Sequence, residues 1–572
     1  MVIDKALFSY DDKNLILRPG KSVFEEKLFV EFLTENTNSG GTIIKLNIHP
    51  KVPITIHKLQ LFFTHPYGND ASVFCNGYQS WTESREFGRD ELIQPLRKVT
   101  SKLFNPYGDY GFTDYPGLSG HLHSWSYTYI SEKENEIIFL GSTSEFTGFT
   151  LFRHEAPGST LIVEKDCRGL FLDHSYPAIN LFSGKGDRHD LFNEYFELMD
   201  FKPTHAKPAF GWTSWYEHYT SISHQIIEEN LEAAANSGLP VDIFQVDDGY
   251  QTRVGDWTDI KPEFPEGMGA IAAMIKAKGI KAGIWLAPFI CEKKSNIFRF
   301  KKDWLLKDKK GRPIKAGYNP LWSGDFYALD FYNQEVKNHL TAVFFTVLSQ
   351  WKFDMVKLDF LYAVALHPPK NKTRGQVMHE AMSFLRKVIE SKLILGCGVP
   401  LSAAFGTTDY CRIGADVHLK WEHGLLKWLR NRERVSTHLA LTNTFGRYEL
   451  NKLAFLNDPD VFILRKHKNK LTETQQRTLL LANVLAGDLV FSSDNFSLYD
   501  EETLTHLREI LALFRRTHLR IEKQEDFYIA RFKVDGKDKV AYFNLSGKEI
   551  KKLIAGVNVE LEPYASKLVH LI

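Results

Sequence analysis

From about residue 205 onward the chain repeats one short design, an apolar run of strand length that ends on a carboxylate. MVKLDFLYA (355–363) is the sharpest case. Side chains alternate faces along a strand, so Val356, Leu358 and Phe360 are expected on one apolar face and Lys357 and Asp359 on the other. A charged pair on a buried face needs a purpose. In a barrel of parallel strands that face points into the core, and its last inward position opens at the C-terminal mouth, where reacting groups are mounted. VDIFQVDDGY (241–250) likewise ends on Asp247 and Asp248, and RIGAD (412–416) sets Arg412, Gly414 and Asp416 at period two. Asp242, Asp354 and Asp409 stand at the starts of such runs, at what would be the barrel floor, and are read as structural.

GWTSWY, IFQVDD, KAGIWLAP, MVKLDF, LILGCG, CRIGAD, the run around LAFLNDPD, and LVFSSD make roughly eight such strands, the number that closes a TIM barrel. Helical segments alternate with them. HQIIEENLEAAANSG carries Ile227, Leu231 and Ala234 on one face and stops at Gly238, while Thr472 and Gln475 form a capping-box pattern. Residues 1–200 have a different texture: TIIKLNI, ITIHKLQLFF, SWSYTYI and EIIFLGS are short β-rich runs separated by turn-rich stretches, which suggests a β-sandwich. The tail is strand-like again and contains the turn DGKD. The expected architecture is α/β: an N-terminal β-sandwich (1–200), a (β/α)8 barrel (201–518) and a small antiparallel β-domain (519–572).

Composition narrows the function. A net charge of +1 over 572 residues, without a basic block, a Walker loop or a dinucleotide fingerprint, argues against nucleic-acid and nucleotide binding. The most apolar stretch, LLLANVLAGDLVF (479–491), is too short for a membrane span and contains Asp488. The N-terminus lacks the pattern of a secretory signal. Five scattered cysteines without CxxC spacing suggest free thiols in a reducing, cytoplasmic setting. His121 and His123 have no third ligand nearby, so neither a metal nor a cofactor is expected. Asp458 and Asp460, flanking a proline, read first as turn chemistry.

The ordered set GWTSWY, QVDDGY, GIWLAPF, KLDFLYA, GCGVP, RIGADV and LNDPD resembles the α-galactosidases of glycoside hydrolase family 36, and most of all its compact bacterial members. GYQSW (77–81) is similar to a tryptophan-bearing loop of that family which reaches the active site from the β-domain. The resemblance implies a retaining hydrolase with Asp359 as nucleophile and Asp416 as general acid/base. It also implies that Asp247 and Asp248 grip the 4- and 6-hydroxyls of the sugar and that Lys357 and Arg412 bind hydroxyls near the reacting carbon. Cys397 and Gly398 would border the 2-position, and Trp285, Trp81 and Tyr216 would form walls. Substrates of the raffinose or melibiose type follow. Related activities are α-N-acetylgalactosamine release and galactosyl transfer; a sugar-binding barrel without catalysis and a lyase using Lys357 as an imine-forming amine are alternatives of other classes.

The chemistry agrees with that resemblance. Cleaving a glycosidic bond needs one ionised carboxylate at the anomeric carbon and one protonated carboxyl for the departing oxygen. Lys357, sharing a face with Asp359, is expected to favour the ionised form there, leaving Asp416 as the group more easily kept neutral.

Overall fold

The computed structural model describes residues 1–97, 104, 106–133, 136–201, 204–554 and 556–570. Its N-terminal part is a sandwich of two antiparallel sheets. In one, Val2–Tyr10 and Ile54–Thr64 are central; in the other, Thr42–Pro50 pairs with the long strand Tyr176–Asp187. Burial alternates along Leu28–Asn36, so Leu28, Val30 and Phe32 face inward and meet Phe8, Leu46, Leu61 and Leu181 between the sheets. At the far end of the second sheet Ser72–Cys75 pairs with Arg85–Gly88, and the connection 76–84 leaves the sandwich as a projecting loop.

The central part is the parallel barrel. Its strands are Ala209–Thr213, Val241–Val246, Lys281–Leu286, Met355–Leu358, Leu393–Gly396, Tyr410–Arg412, a broken seventh made of Leu456–Asp458 and Val461–Phe462, and Leu489–Ser492. The break explains how the sheet closes. Leu456–Asp458 pairs with the sixth strand and Val461–Phe462 with the eighth, which returns to the first through Ala209 and Leu489. Pro459 and Asp460, the latter in the left-handed region at φ +85°, interrupt the ladder between the two halves. All four residues of Met355–Leu358 are buried, as a strand covered on both faces requires.

Helix starts follow local chemistry. Thr373 with Gln376, and Thr472 with Gln475, form complete capping boxes, and Ser223 caps the helix His224–Asn236, which buries Ile227, Leu231 and Ala234. The three early acids tie down the barrel floor. Asp242 accepts from the Phe210 N–H at 3.0 Å, Asp354 pairs with Lys276 and Lys392, and Asp409 pairs with Arg386. The C-terminal sheet, Thr517–Gln524, Phe527–Val534, Lys537–Asn544 and Ser566–His570, turns at Asp535 and Gly536, both at positive φ, as a two-residue hairpin demands. Tyr528 and Phe543 rest on Phe445 of the barrel.

Candidate active site

A cavity of about 250 Å³ opens where the barrel strands end. Asp359 stands at its base, one residue beyond the fourth strand, with its N–H on the Leu286 carbonyl of the third strand at 2.9 Å. Its Oδ2 accepts from the Trp285 indole at 3.1 Å and its Oδ1 from the Phe360 N–H at 2.8 Å. Those bonds fix the carboxyl in one orientation. Burial raises its pKa above the ordinary carboxylate range, offset by the charge of Lys357 and reinforced by that of Asp416.

Lys357 favours the ionised form of Asp359, as expected, through its nearby charge and not through a direct bond. Lys357 Nζ donates to Asp247 Oδ2 at 2.8 Å, past the one intervening strand, and acts on Asp359 only as a nearby charge. The same Asp247 oxygen accepts from Gln245 at 2.6 Å, while its other oxygen receives the Asp248 N–H at 2.9 Å. Asp248 is held by Gln251 at 2.6 Å and by the Trp322 indole at 2.7 Å, and burial lifts its pKa to about 6. One end of the cavity thus carries two buried carboxylates, an ammonium and an indole.

Asp416 lines the cavity with its side chain more than a third exposed. It does not stand alone. Arg412 donates to Asp416 at 2.8 Å, to Asp458 at 3.0 Å and to Asp460 at 2.8 Å, so one buried guanidinium is shared by three carboxylates. Arg412 is consequently a scaffold behind Asp416 and not part of the cavity wall, and Asp458 and Asp460 are what hold it there.

The cavity differs from expectation at four residues. Tyr216 is buried, its hydroxyl on Asp460 and its N–H on Ser493; the preceding residue, Trp215, lines the cavity instead. Cys397 and Gly398 lie behind Trp81, whose indole donates to Cys397 Sγ at 3.3 Å, so Trp81 stands between them and the cavity. Phe360 leaves the face of Val356 and Leu358. The strand ends at Leu358, and Phe360, at φ +52°, turns into the cavity wall beside Trp81 and Trp322. Trp285 and Trp81 line the cavity as expected. Trp322 and Glu433, also in the wall, come from loops without hydrophobic period. Burial lifts Glu433 to about 7. His123, of the His-x-His pair, bonds Asp109 in the sandwich.

The family model for melibiase matches residues 183–391, from the end of the sandwich to the helix before the fifth barrel strand. An α-galactosidase of Thermus thermophilus, solved with p-nitrophenyl α-D-galactopyranoside, superposes with a TM-score of 0.72 at 25% identity, covering 91% of this chain and 98% of that one. The chain is thus similar to α-galactosidases over the whole fold. The fold of a family 36 enzyme from Geobacillus stearothermophilus is also shared, with a TM-score of 0.63 at 12% identity over 99% of this chain and 87% of that one. An α-galactosidase of Lactobacillus acidophilus is 25% identical over 178 residues, 30% of this chain and 23% of that protein. The matched stretches span only about a quarter of the length of these curated family 36 relatives. None of the described helices is long and apolar enough to cross a membrane.

Proposed function

We propose that the protein is a retaining exo-α-galactosidase that removes terminal α-linked galactose from small oligosaccharides of the raffinose or melibiose type. The observation that carries this reading is the single cavity shared by Asp359, Asp416, Asp247, Asp248 and Lys357. Asp359, oriented by Trp285 and the Phe360 N–H, attacks the anomeric carbon, while Asp416 protonates the departing oxygen. A covalent galactosyl-Asp359 intermediate results. Asp416 then takes a proton from water, which attacks the same carbon and restores Asp359 with net retention. The partial exposure of Asp416 lets it exchange protons with solvent between turnovers.

Asp247, Asp248 and Lys357 supply both acceptors and a donor for galactose hydroxyls, and a misplaced hydroxyl leaves such buried groups unpaired. Trp81 packed against Gly398 leaves little room for an acetamido group at the 2-position, which favours galactose over N-acetylgalactosamine. The Thermus enzyme was also solved with stachyose and a Geobacillus variant with raffinose. Five buried, unpaired cysteines fit a reducing cytoplasm.

A panel of p-nitrophenyl glycosides tests the reading. Cleavage of the α-galactoside with at least 10²-fold discrimination against the α-glucoside is expected; comparable rates on the two epimers would overturn the assignment of Asp247 and Asp248.

A further inference from the structure

Arg447 is fully buried, and among the described residues no carboxylate pairs with it. It bonds instead to neutral oxygens, almost all of them in one loop. Nε donates to Asn76 Oδ1 at 3.0 Å; the terminal nitrogens donate to the carbonyls of Ser80 at 2.6 Å, Gln79 at 3.2 Å and Gly77 at 3.3 Å. The remaining bond, at 2.9 Å, runs to the carbonyl of Ile413, just past the sixth barrel strand. Burial without an anionic partner presses the pKa of this arginine down to about 10. Holding a cation in that way is costly.

The loop in question is the one that leaves the sandwich between Cys75 and Arg85 and carries Trp81 into the cavity. Its other side is held by the barrel as well, through the Ser80 N–H on the Val399 carbonyl at 2.9 Å. Trp81 then lands on Cys397 and Gly398 and touches Phe360, the residue after Asp359. We infer that Arg447 is a positioning residue: by gathering the carbonyls of loop 77–80 onto the end of the sixth strand, it holds Trp81 in the catalytic cavity, so that the sandwich completes the active site.

Trp81 gives a readout independent of turnover, because it covers Cys397, which is 1% exposed. The experiment compares the parent with Arg447→Lys and Arg447→Met by timed iodoacetamide labelling and peptide mass spectrometry. Cys397 should become labelled at least tenfold faster in Arg447→Met and less so in Arg447→Lys. Cys167 and Cys291, which are buried and, among the described residues, make no hydrogen bond to the loop, should stay protected and so report that the fold is intact. Protection of Cys397 equal to that of the parent, or equal acceleration at all three cysteines, overturns the inference.

A kinetic arm uses p-nitrophenyl α-galactoside and rests on the α-galactosidase reading; an inactive parent would refute that reading while the labelling result still decides this one. Arg447→Lys should lower kcat/KM about tenfold in the parent but less than twofold in a Trp81→Ala background, since the two residues act through one contact. Equal fold losses in both backgrounds would mean a merely structural role and overturn the inference. Asn76→Ala, which removes one guanidinium partner, should give a smaller loss of the same non-additive kind.

Discussion

Replacing Asp248 by Asn should stabilise the protein at neutral pH while impairing it as a catalyst. The Asp248 carboxyl is 3% exposed and titrates at about 6 against an ordinary 3.8. A raised carboxylate pKa means that the folded state holds a proton the unfolded state has released, so stability falls as pH rises from about 4 to about 6. Two pKa units correspond to about 3 kcal/mol, present in full as a penalty above the folded pKa and absent below the unfolded one. Asn carries no such penalty. It does lose one of the two bonds from Gln251 and Trp322, because its amide nitrogen cannot accept, at a pH-independent cost of about 1 kcal/mol. The variant should therefore be slightly less stable than the parent at pH 4 and about 2 kcal/mol more stable at pH 8. Calorimetric scans of the two proteins in parallel measure this directly. At about 2 °C per kcal/mol for a domain of this size, the difference in Tm should swing by about 6 °C across that range. Activity moves the other way, with kcat/KM for an α-galactoside falling about 100-fold at pH 7. A Tm difference that stays flat between pH 4 and pH 8 would refute the argument, because it would show that Asp248 does not carry a buried charge.

Azide rescue separates the two catalytic carboxyls. In Asp359→Gly, azide should attack an activated α-galactoside directly and give the β-galactosyl azide, whereas in Asp416→Ala it should displace the covalent intermediate and give the α-galactosyl azide; product stereochemistry by NMR checks both, and the opposite pattern would exchange the roles. Gly398→Ala should lower kcat/KM about tenfold and cost at least 1 kcal/mol of stability, measured by steady-state kinetics and thermal unfolding. The residue sits at φ +56°, and its new Cβ would lie 2.9 Å from the Trp81 ring and 3.0 Å from the Phe360 nitrogen, which must then shift beside Asp359.

Asp359, Asp247 and Asp248 were legible from the sequence because their placement depends on local rules. A strand's period of two and its end on a polar residue are visible within ten residues, and a barrel mounts such ends at one mouth. What could not be read locally is decided by single turns. Trp215 and Tyr216 are adjacent aromatics, and a one-turn helix, Trp215–His218, decides which of them faces the cavity. Phe360 obeys period two up to the residue before it; a left-handed backbone then carries its ring to the opposite side. Trp322 reaches Asp248 from a loop between Lys315–Asn319 and Gly324–Ala328, whose spacing says nothing about its direction.

Charge partners were the least legible feature, and the reason is topological. Lys357 and Asp359 share a face of one strand, but two residues apart they point the same way, toward the barrel axis, and side chains aimed in parallel meet groups from other strands more readily than each other. Lys357 finds Asp247, 110 residues earlier, because the second and fourth strands flank the third on the inner face of a curved sheet. The consequence reaches the chemistry. With the ammonium bonded to Asp247, Asp359 is left desolvated and held by two N–H donors, a weaker hold on its charge than a direct ion pair would give. In the proposed reading, a less stabilised carboxylate, once ionised, is a better nucleophile toward a cationic carbon, which suits Asp359 to double displacement.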